Sequence, residues 1–127
     1  MAKVLLIDDD VDFIEMNTAV LLNRGFEVAA AYSAAEARER LKQTPIDLVV
    51  LDVMMETAGA GFDLAREIHQ QFPELPVLML TGVREAKDVR YTFEPDDTWL
   101  PVTAFLEKPV DPALLAERIE KTIRTQR

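Results

Sequence analysis

The sequence predicts an α/β domain built around a parallel β-sheet, and three features support this fold class. Short apolar runs of strand length alternate with helical patterns along all 127 residues, an order typical of repeated βα units. Four of the five runs are almost purely apolar, as expected for strands covered by helices on both faces. The length and the apolar content of 49% suit one domain with a sizeable core.

The strand candidates are short runs rich in Val, Leu, Ile and Ala. In chain order they are Val4 to Ile7, Val28 to Ala31, Leu48 to Leu51, Val77 to Leu80 and Thr103 to Leu106. The second run has the weakest strand pattern of the five. We therefore expect it to lie at an edge of the sheet.

Two helices are predicted in the first half of the chain. Val11 to Leu22 places apolar residues at helical spacing, and the stop signal Asn23-Arg24-Gly25 follows it. Ser33, with Glu36 three residues later, forms a capping box in front of Ala34 to Lys42, which is rich in strong helix formers.

Two more helices are predicted in the second half. Gly61 to Phe72 carries an apolar stripe and ends before a proline, and Asp111-Pro112 is an N-cap followed by proline at the first helical position. Between them, Arg84 to Tyr91 is expected to form a short helix. Pro95 and Pro101 forbid its continuation, so an irregular loop should follow.

Composition excludes several classes of function. A formal net charge of -9 argues against direct nucleic-acid binding, which depends on Lys and Arg neutralising phosphates. The chain has no cysteine, which excludes disulfides and thiolate metal sites. The apolar runs are far shorter than the roughly 20 residues of a membrane span, and no signal-peptide pattern is visible. We expect a cytoplasmic protein that binds neither nucleic acid nor membrane.

Polar residues follow four of the predicted strands. Asp8 and Asp9 follow the first, Asp52 the third and Thr81 the fourth, and the fifth leads to Lys108. In an open parallel sheet, ligands bind outside the carboxyl ends of the strands. Three carboxylates in one pocket repel each other, and a hard cation such as Mg²⁺ or Mn²⁺ relieves the repulsion. With a lysine and a hydroxyl beside them, the set predicts an aspartate that accepts a phosphoryl group.

Four sequence blocks make the resemblance to a known family specific. Leu5 to Asp10, Val49 to Met55, Leu78 to Gly82 and Phe105 to Pro109 are similar to the signature blocks of response-regulator receiver domains, in the same order. The resemblance implies a flavodoxin-like, doubly wound sheet of five parallel strands in the order 2-1-3-4-5. It also implies one receiver domain over residues 1–127, with no output domain.

The resemblance assigns roles to the acidic residues. Asp52 is the implied phosphoacceptor, Asp9 binds Mg²⁺ directly, Asp8 binds it through water, and the backbone carbonyl of Met54 completes the metal site. The implied protein is a two-component signalling switch and not an enzyme, since it catalyses only its own phosphorylation and dephosphorylation. Its phosphate donor is a sensor histidine kinase or a phosphotransfer protein, and its output target is not specified. A homodimer that forms on phosphorylation is one form of output.

The remaining implied roles concern the phosphoryl group and the switch. Thr81 and Lys108 contact the phosphoryl group, and the peptide bond between Lys108 and Pro109 matches one that is usually cis. Phe105 matches an aromatic residue whose rotamer follows Thr81, and its alternative role is simple core packing.

Several residues have a purely structural interpretation. Asp10 is expected to cap the first helix, and His69, the only histidine, is expected at the surface. Trp99 and Leu100 either fold back over the sheet or stay exposed for a partner.

The sequence departs from the family pattern near Asp52 and after Thr81. The segment after Asp52 lacks the usual proline and is one residue longer, and 23 residues separate Thr81 from Phe105. Met54 and Val83, each two residues beyond a site residue, are apolar and cannot orient a water molecule. We therefore expect slow loss of the phosphoryl group.

Three other interpretations remain open. Asp8 and Asp10 form the Asp-x-Asp pattern of haloacid-dehalogenase-type phosphohydrolases, which would make Asp8 the nucleophile. A flavin-binding module of similar topology would need a phosphate loop in place of the aspartates. A receiver that is no longer phosphorylated would serve only as a scaffold.

Overall fold

A computed structural model describes residues 2–53, 60–82, 104–108 and 110–125, with only the backbone described at residues 60, 82 and 108. These ranges contain β1 (Lys3–Ile7), α1 (Val11–Asn23), β2 (Glu27–Ala31), α2 (Ala34–Gln43), β3 (Leu48–Asp52), α3 (Ala60–Gln71), β4 (Val77–Gly82), β5 (Ala104–Lys108) and α4 (Pro112–Thr125). The five predicted strands and these four predicted helices are confirmed. The helix expected over residues 84–91 lies outside the described residues.

The five strands form one parallel sheet in the order β2-β1-β3-β4-β5. This confirms the flavodoxin-like order and the edge position of β2. It also places β5 at the other edge, although the apolar character of its run gave no sign of this. Strand β3 lies at the centre, with Leu51 paired to Ile7 of β1 and Asp52 paired to Leu80 of β4.

Helices cover both faces of the sheet, and alternate strand residues supply the two cores. Helices α2 and α3 cover one face, where Leu64, Ala65 and Ile68 of α3 are buried. Helices α1 and α4 cover the other face, where Ile14 and Ile119 are buried. Both faces of β1, β3 and β4 are thus shielded from solvent, which explains their continuous apolar runs. No helix in the described ranges has the length and apolar character needed to cross a membrane.

The helix ends follow the predicted capping residues. Asp10 accepts a hydrogen bond from the Phe13 amide at 3.2 Å, and Ser33 accepts one from the Glu36 amide at 3.2 Å. The Glu36 carboxylate accepts from the amide of Tyr32 at 3.2 Å, one residue before the cap. Gly25 has φ of 91° beyond the end of α1, a conformation that glycine adopts readily because it has no Cβ.

Replacing Ser33 with alanine should lower the free energy of unfolding by about 1 kcal/mol, because the Glu36 amide loses its acceptor. Urea unfolding followed by circular dichroism measures the change. Ser33→Asn is the matched control and should stay close to the wild-type value, because asparagine caps helices as well as serine does. Equal stability of all three proteins would show that the cap contributes nothing.

Candidate metal centre at the carboxyl edge of the sheet

Two of the predicted acidic residues become neighbours through the pairing of β1 with β3. Ile7 pairs with Leu51. Asp8 lies directly beyond β1 and Asp52 is the last residue of β3, so both carboxylates lie at the carboxyl edge of the sheet. Asp8 is 1% exposed and Asp52 is 6% exposed. The fold therefore places two carboxylates side by side in an almost dry environment.

Asp9 completes a cluster of three carboxylates. Asp8, Asp9 and Asp52 each offer an oxygen atom, and these atoms all lie within 4.8 Å of one another. Two unit charges about 4 Å apart repel by about 4 kcal/mol at an effective dielectric constant of about 20. Of the three, only Asp9 is exposed to solvent. Because the other two are buried, water screens the repulsion incompletely. The donor set consists of hard oxygen atoms and suits Mg²⁺ or Mn²⁺.

The loop after β1 fixes the orientation of Asp8. Its carboxylate accepts a hydrogen bond from the Asp10 amide at 2.9 Å, and its own amide donates to the Ala31 carbonyl at 3.1 Å. Asp8 is thereby tied to the start of α1 on one side and to β2 on the other. Asp10 caps α1, as predicted, and is not part of the carboxylate cluster.

Thr81 and Phe105 lie on adjacent strands, β4 and β5. Phe105 pairs with Met79 and packs against the α2–α3 core, and Thr81 is two residues beyond Met79 on the same side of β4. Thr81 is 2% exposed, whereas Phe105 is half-buried. The core-packing role of Phe105 is thus present, and Thr81 lies diagonally across from it on the neighbouring strand.

The structure describes the other predicted site residues only in part. The Lys108 backbone ends β5 and pairs with Gly82, and its side chain is outside the description. His69, predicted at the surface, is half-buried on α3. The predictions for Met54, Val83, Trp99, Leu100 and Pro109 lie outside the described residues.

One neighbour of the site was missed by sequence reasoning. Gly61, the second residue of α3, lies against the backbone of Asp52 and Val53. A glycine near a helix start was the only signal in the sequence, and nothing in the spacing indicated what it would contact.

Comparison with known proteins gives one consistent result. Residues 4–120 match the family model described as the response regulator receiver domain. The transcriptional regulatory protein PgtA of the phosphoglycerate transport system in Salmonella typhimurium is 35% identical over 98% of this chain. The transcriptional regulatory protein GltR of Pseudomonas aeruginosa is 32% identical over 96% of it. The chain spans only 29% of the first relative and 49% of the second.

Solved structures show the same architecture. The receiver domain of NtrX from Brucella abortus superposes with a TM-score of 0.79 at 28% identity, covering 96% of this chain and 98% of that one. A CheY-like receiver domain protein from Methanospirillum hungatei reaches a TM-score of 0.81 at 22% identity, covering 99% and 96% of the two chains. At that identity the second match supports the fold alone.

Proposed function

The chain belongs to the response-regulator receiver family, and we propose on this basis that it is a phosphorylation switch whose phosphoacceptor is Asp52. Receiver domains are signalling modules, and membership implies a histidine kinase or another phosphodonor as partner. The observation that supports Asp52 best is the cluster of buried Asp8 and Asp52 with exposed Asp9 at the carboxyl edge of the sheet. The relatives give no support to the phosphohydrolase alternative.

Two features favour Asp52 as the phosphoacceptor. It ends the central strand, so β1 and β4 flank it on both sides. It is also buried, whereas Asp9 is exposed at the rim. Asp52 lies between the proposed metal ligands Asp8 and Asp9 and the strand that carries Thr81. Of the three carboxylates, it is therefore the best placed to receive a phosphoryl group.

In the proposed reaction, an Asp52 carboxylate oxygen attacks the phosphorus atom of a phosphohistidine. The new O–P bond forms as the N–P bond breaks, and the released imidazole takes a proton from solvent. The Thr81 hydroxyl would donate a hydrogen bond to a phosphoryl oxygen, and the Lys108 ammonium would offset its charge. A divalent cation held by Asp8, Asp9, Asp52 and the Met54 carbonyl would supply further charge neutralisation when bound.

The proposed switch couples Thr81 to Phe105. If the Thr81 hydroxyl turns toward a phosphoryl group, it changes the space next to Phe105 on the same face of the sheet. Phe105 is half-buried at an edge strand, so a change of its rotamer would alter the surface there. A differential stabilisation of a few kcal/mol is enough to shift such a two-state equilibrium.

We propose that the output of the switch depends on binding to another protein or to a second copy of the chain. The relatives are named as transcriptional regulators, but a formal net charge of -9 makes this chain a poor ligand for DNA phosphates. We propose that phosphorylation changes its affinity for an output target or for a second copy of the chain. A cysteine-free sequence suits the cytoplasm as the place of this reaction.

The direct test is incubation of the protein with Mg²⁺ and acetyl phosphate, followed by intact-mass measurement and peptide mapping. We expect one added phosphoryl group, located on Asp52 and absent when EDTA replaces Mg²⁺. An unmodified protein would support the scaffold interpretation. Hydrolysis of a phosphatase substrate that Asp8→Asn abolishes and Asp52→Asn spares would support the phosphohydrolase interpretation.

We also expect phospho-Asp52 to be long-lived. Met54 and Val83 are apolar and cannot align an attacking water by hydrogen bonding. The half-life of the phosphorylated protein in Mg²⁺ can be followed by electrophoresis or mass measurement. Loss of the phosphoryl group within seconds would contradict this prediction. Val83→Gln, which introduces a polar group, should shorten the lifetime.

A further inference from the structure

The start of α3 lies directly on the backbone that carries Asp52. The Gly61 amide donates a hydrogen bond to the Val53 carbonyl at 3.2 Å. A Cβ atom built on Gly61 would lie 2.7 Å from the Val53 Cα and 2.7 Å from the Val53 carbonyl oxygen, and nearer still to the Asp52 carbonyl oxygen. Any side chain at this position would therefore overlap the peptide that follows Asp52.

Gly61 is needed for space and not for an unusual backbone conformation. Within the described ranges, Gly25 is the glycine with positive φ, and a Cβ there would meet no atom within 4 Å. Carbon atoms pack best about 3.5–4.0 Å apart, so a methyl group on Gly61 requires a displacement of roughly 1 Å. The three nearest atoms are all backbone, so no change of side-chain rotamer can relieve the overlap with them.

The structure on each side of the contact is firmly held. Val53 donates a hydrogen bond to the Leu80 carbonyl at 2.9 Å, which ties the end of β3 to β4. On the other side, Leu64 and Ile68 bury α3 in the core. A methyl group must therefore tilt the Asp52–Val53 peptide or lift the first turn of α3 away from it.

We propose that Gly61 is a positioning residue for the acceptor carboxylate. By bringing α3 into contact with the Asp52–Val53 peptide, it holds the Asp52 side chain in place beside Asp8 and Asp9. The phosphorylation measurement tests this inference only if Asp52 has its proposed function. The Mn²⁺ measurement depends only on the carboxylate cluster. Gly61 contacts neither phosphate nor metal in this role, and it acts through the backbone.

The test compares Gly61→Ala with Gly25→Ala in the full chain. Both variants replace glycine with alanine and both lower stability. Gly25, however, follows α1 and precedes β2, so it lies at the amino end of the strands, away from the carboxylate cluster. At a temperature where both variants are folded, Gly61→Ala should take phosphate from acetyl phosphate about 100-fold more slowly, as expected for a misplacement of about 1 Å. Its affinity for Mn²⁺, measured by electron paramagnetic resonance, should fall about 10-fold. Gly25→Ala should match the wild type in both measurements.

The two readouts separate the inference from the proposed function. Wild-type protein that binds Mn²⁺ but takes no phosphate would refute the function, and the Mn²⁺ comparison would still decide the role of Gly61. A folded Gly61→Ala variant with wild-type Mn²⁺ affinity and phosphorylation rate would overturn the inference. Wild-type protein that neither binds Mn²⁺ nor takes phosphate would overturn both.

If Gly61→Ala does not fold, hydrogen exchange in the wild-type protein decides the question. The Gly61 amide should exchange as slowly as the core amides of α3, and addition of Mg²⁺ should slow it further. Exchange at the rate of an open loop, or no response to Mg²⁺, would show that the contact does not hold Asp52.

Discussion

Asp52→Asn should abolish phosphorylation while leaving the fold intact. Asparagine has almost the same size as aspartate but carries no carboxylate oxygen that can form the acyl phosphate. Asp52 is 6% exposed at the end of a central strand, and an amide there removes one charge from a cluster of three. The variant, incubated with Mg²⁺ and acetyl phosphate, should show no added mass, and its circular dichroism spectrum should match that of the wild type.

Asp10→Asn is the matched control for this experiment. It removes the same charge two residues from Asp8, and asparagine preserves the cap of α1 because it is as good an N-cap as aspartate. We expect Asp10→Asn to take phosphate within about threefold of the wild-type rate, since the Asp10 carboxylate is exposed, lies outside the cluster and is screened by solvent. A phosphoryl group on Asp52→Asn would place the acceptor elsewhere and refute the assignment.

Asp8→Asn should weaken Mg²⁺ binding by at least about 10-fold, because loss of a metal-orienting group typically costs 10–100-fold in affinity. Asparagine can still accept the hydrogen bond from the Asp10 amide, so the loop should survive. Binding to the native state at about 100 times the dissociation constant stabilises a protein by about 2.7 kcal/mol. A 10-fold weaker site should lose about 1.4 kcal/mol of that gain.

Urea unfolding with increasing Mg²⁺ measures this difference directly. Asp12→Asn, an exposed acid in the first turn of α1, serves as the control and should respond to Mg²⁺ like the wild type. Equal responses of Asp8→Asn and the wild type would show that Asp8 takes no part in the metal site. If Mg²⁺ does not raise the free energy of unfolding of the wild-type protein, the proposed metal site is refuted.

The two-sided burial of the sheet explains why its elements could be predicted. β1, β3 and β4 are covered on both faces, so burial selects apolar residues at every position and leaves long apolar runs in the sequence. β5 shows the limit of this reasoning. Its apolar run resembles that of a central strand, yet it lies at an edge, because strand order depends on long-range pairing and is not encoded in local hydrophobicity.

The carboxylate cluster was predicted from the ends of the strands, since parallel strands bring their carboxyl ends to one edge. This geometric rule was enough to expect Asp8, Asp9 and Asp52 together, and their oxygen atoms do lie within 4.8 Å of one another. The rule could not show how each carboxylate is held. The bond from the Asp10 amide to Asp8 depends on the path of the backbone between β1 and α1.

Local patterns along the chain were sufficient for the elements, their capping residues and the set of polar residues at the sheet edge. Each of these depends on periodicity, on short-range hydrogen bonds or on the common direction of the strands. The contact of Gly61 with the Asp52–Val53 peptide came only from tertiary structure. It depends on how closely α3 approaches the end of β3, and that distance is set by the packing of the whole core.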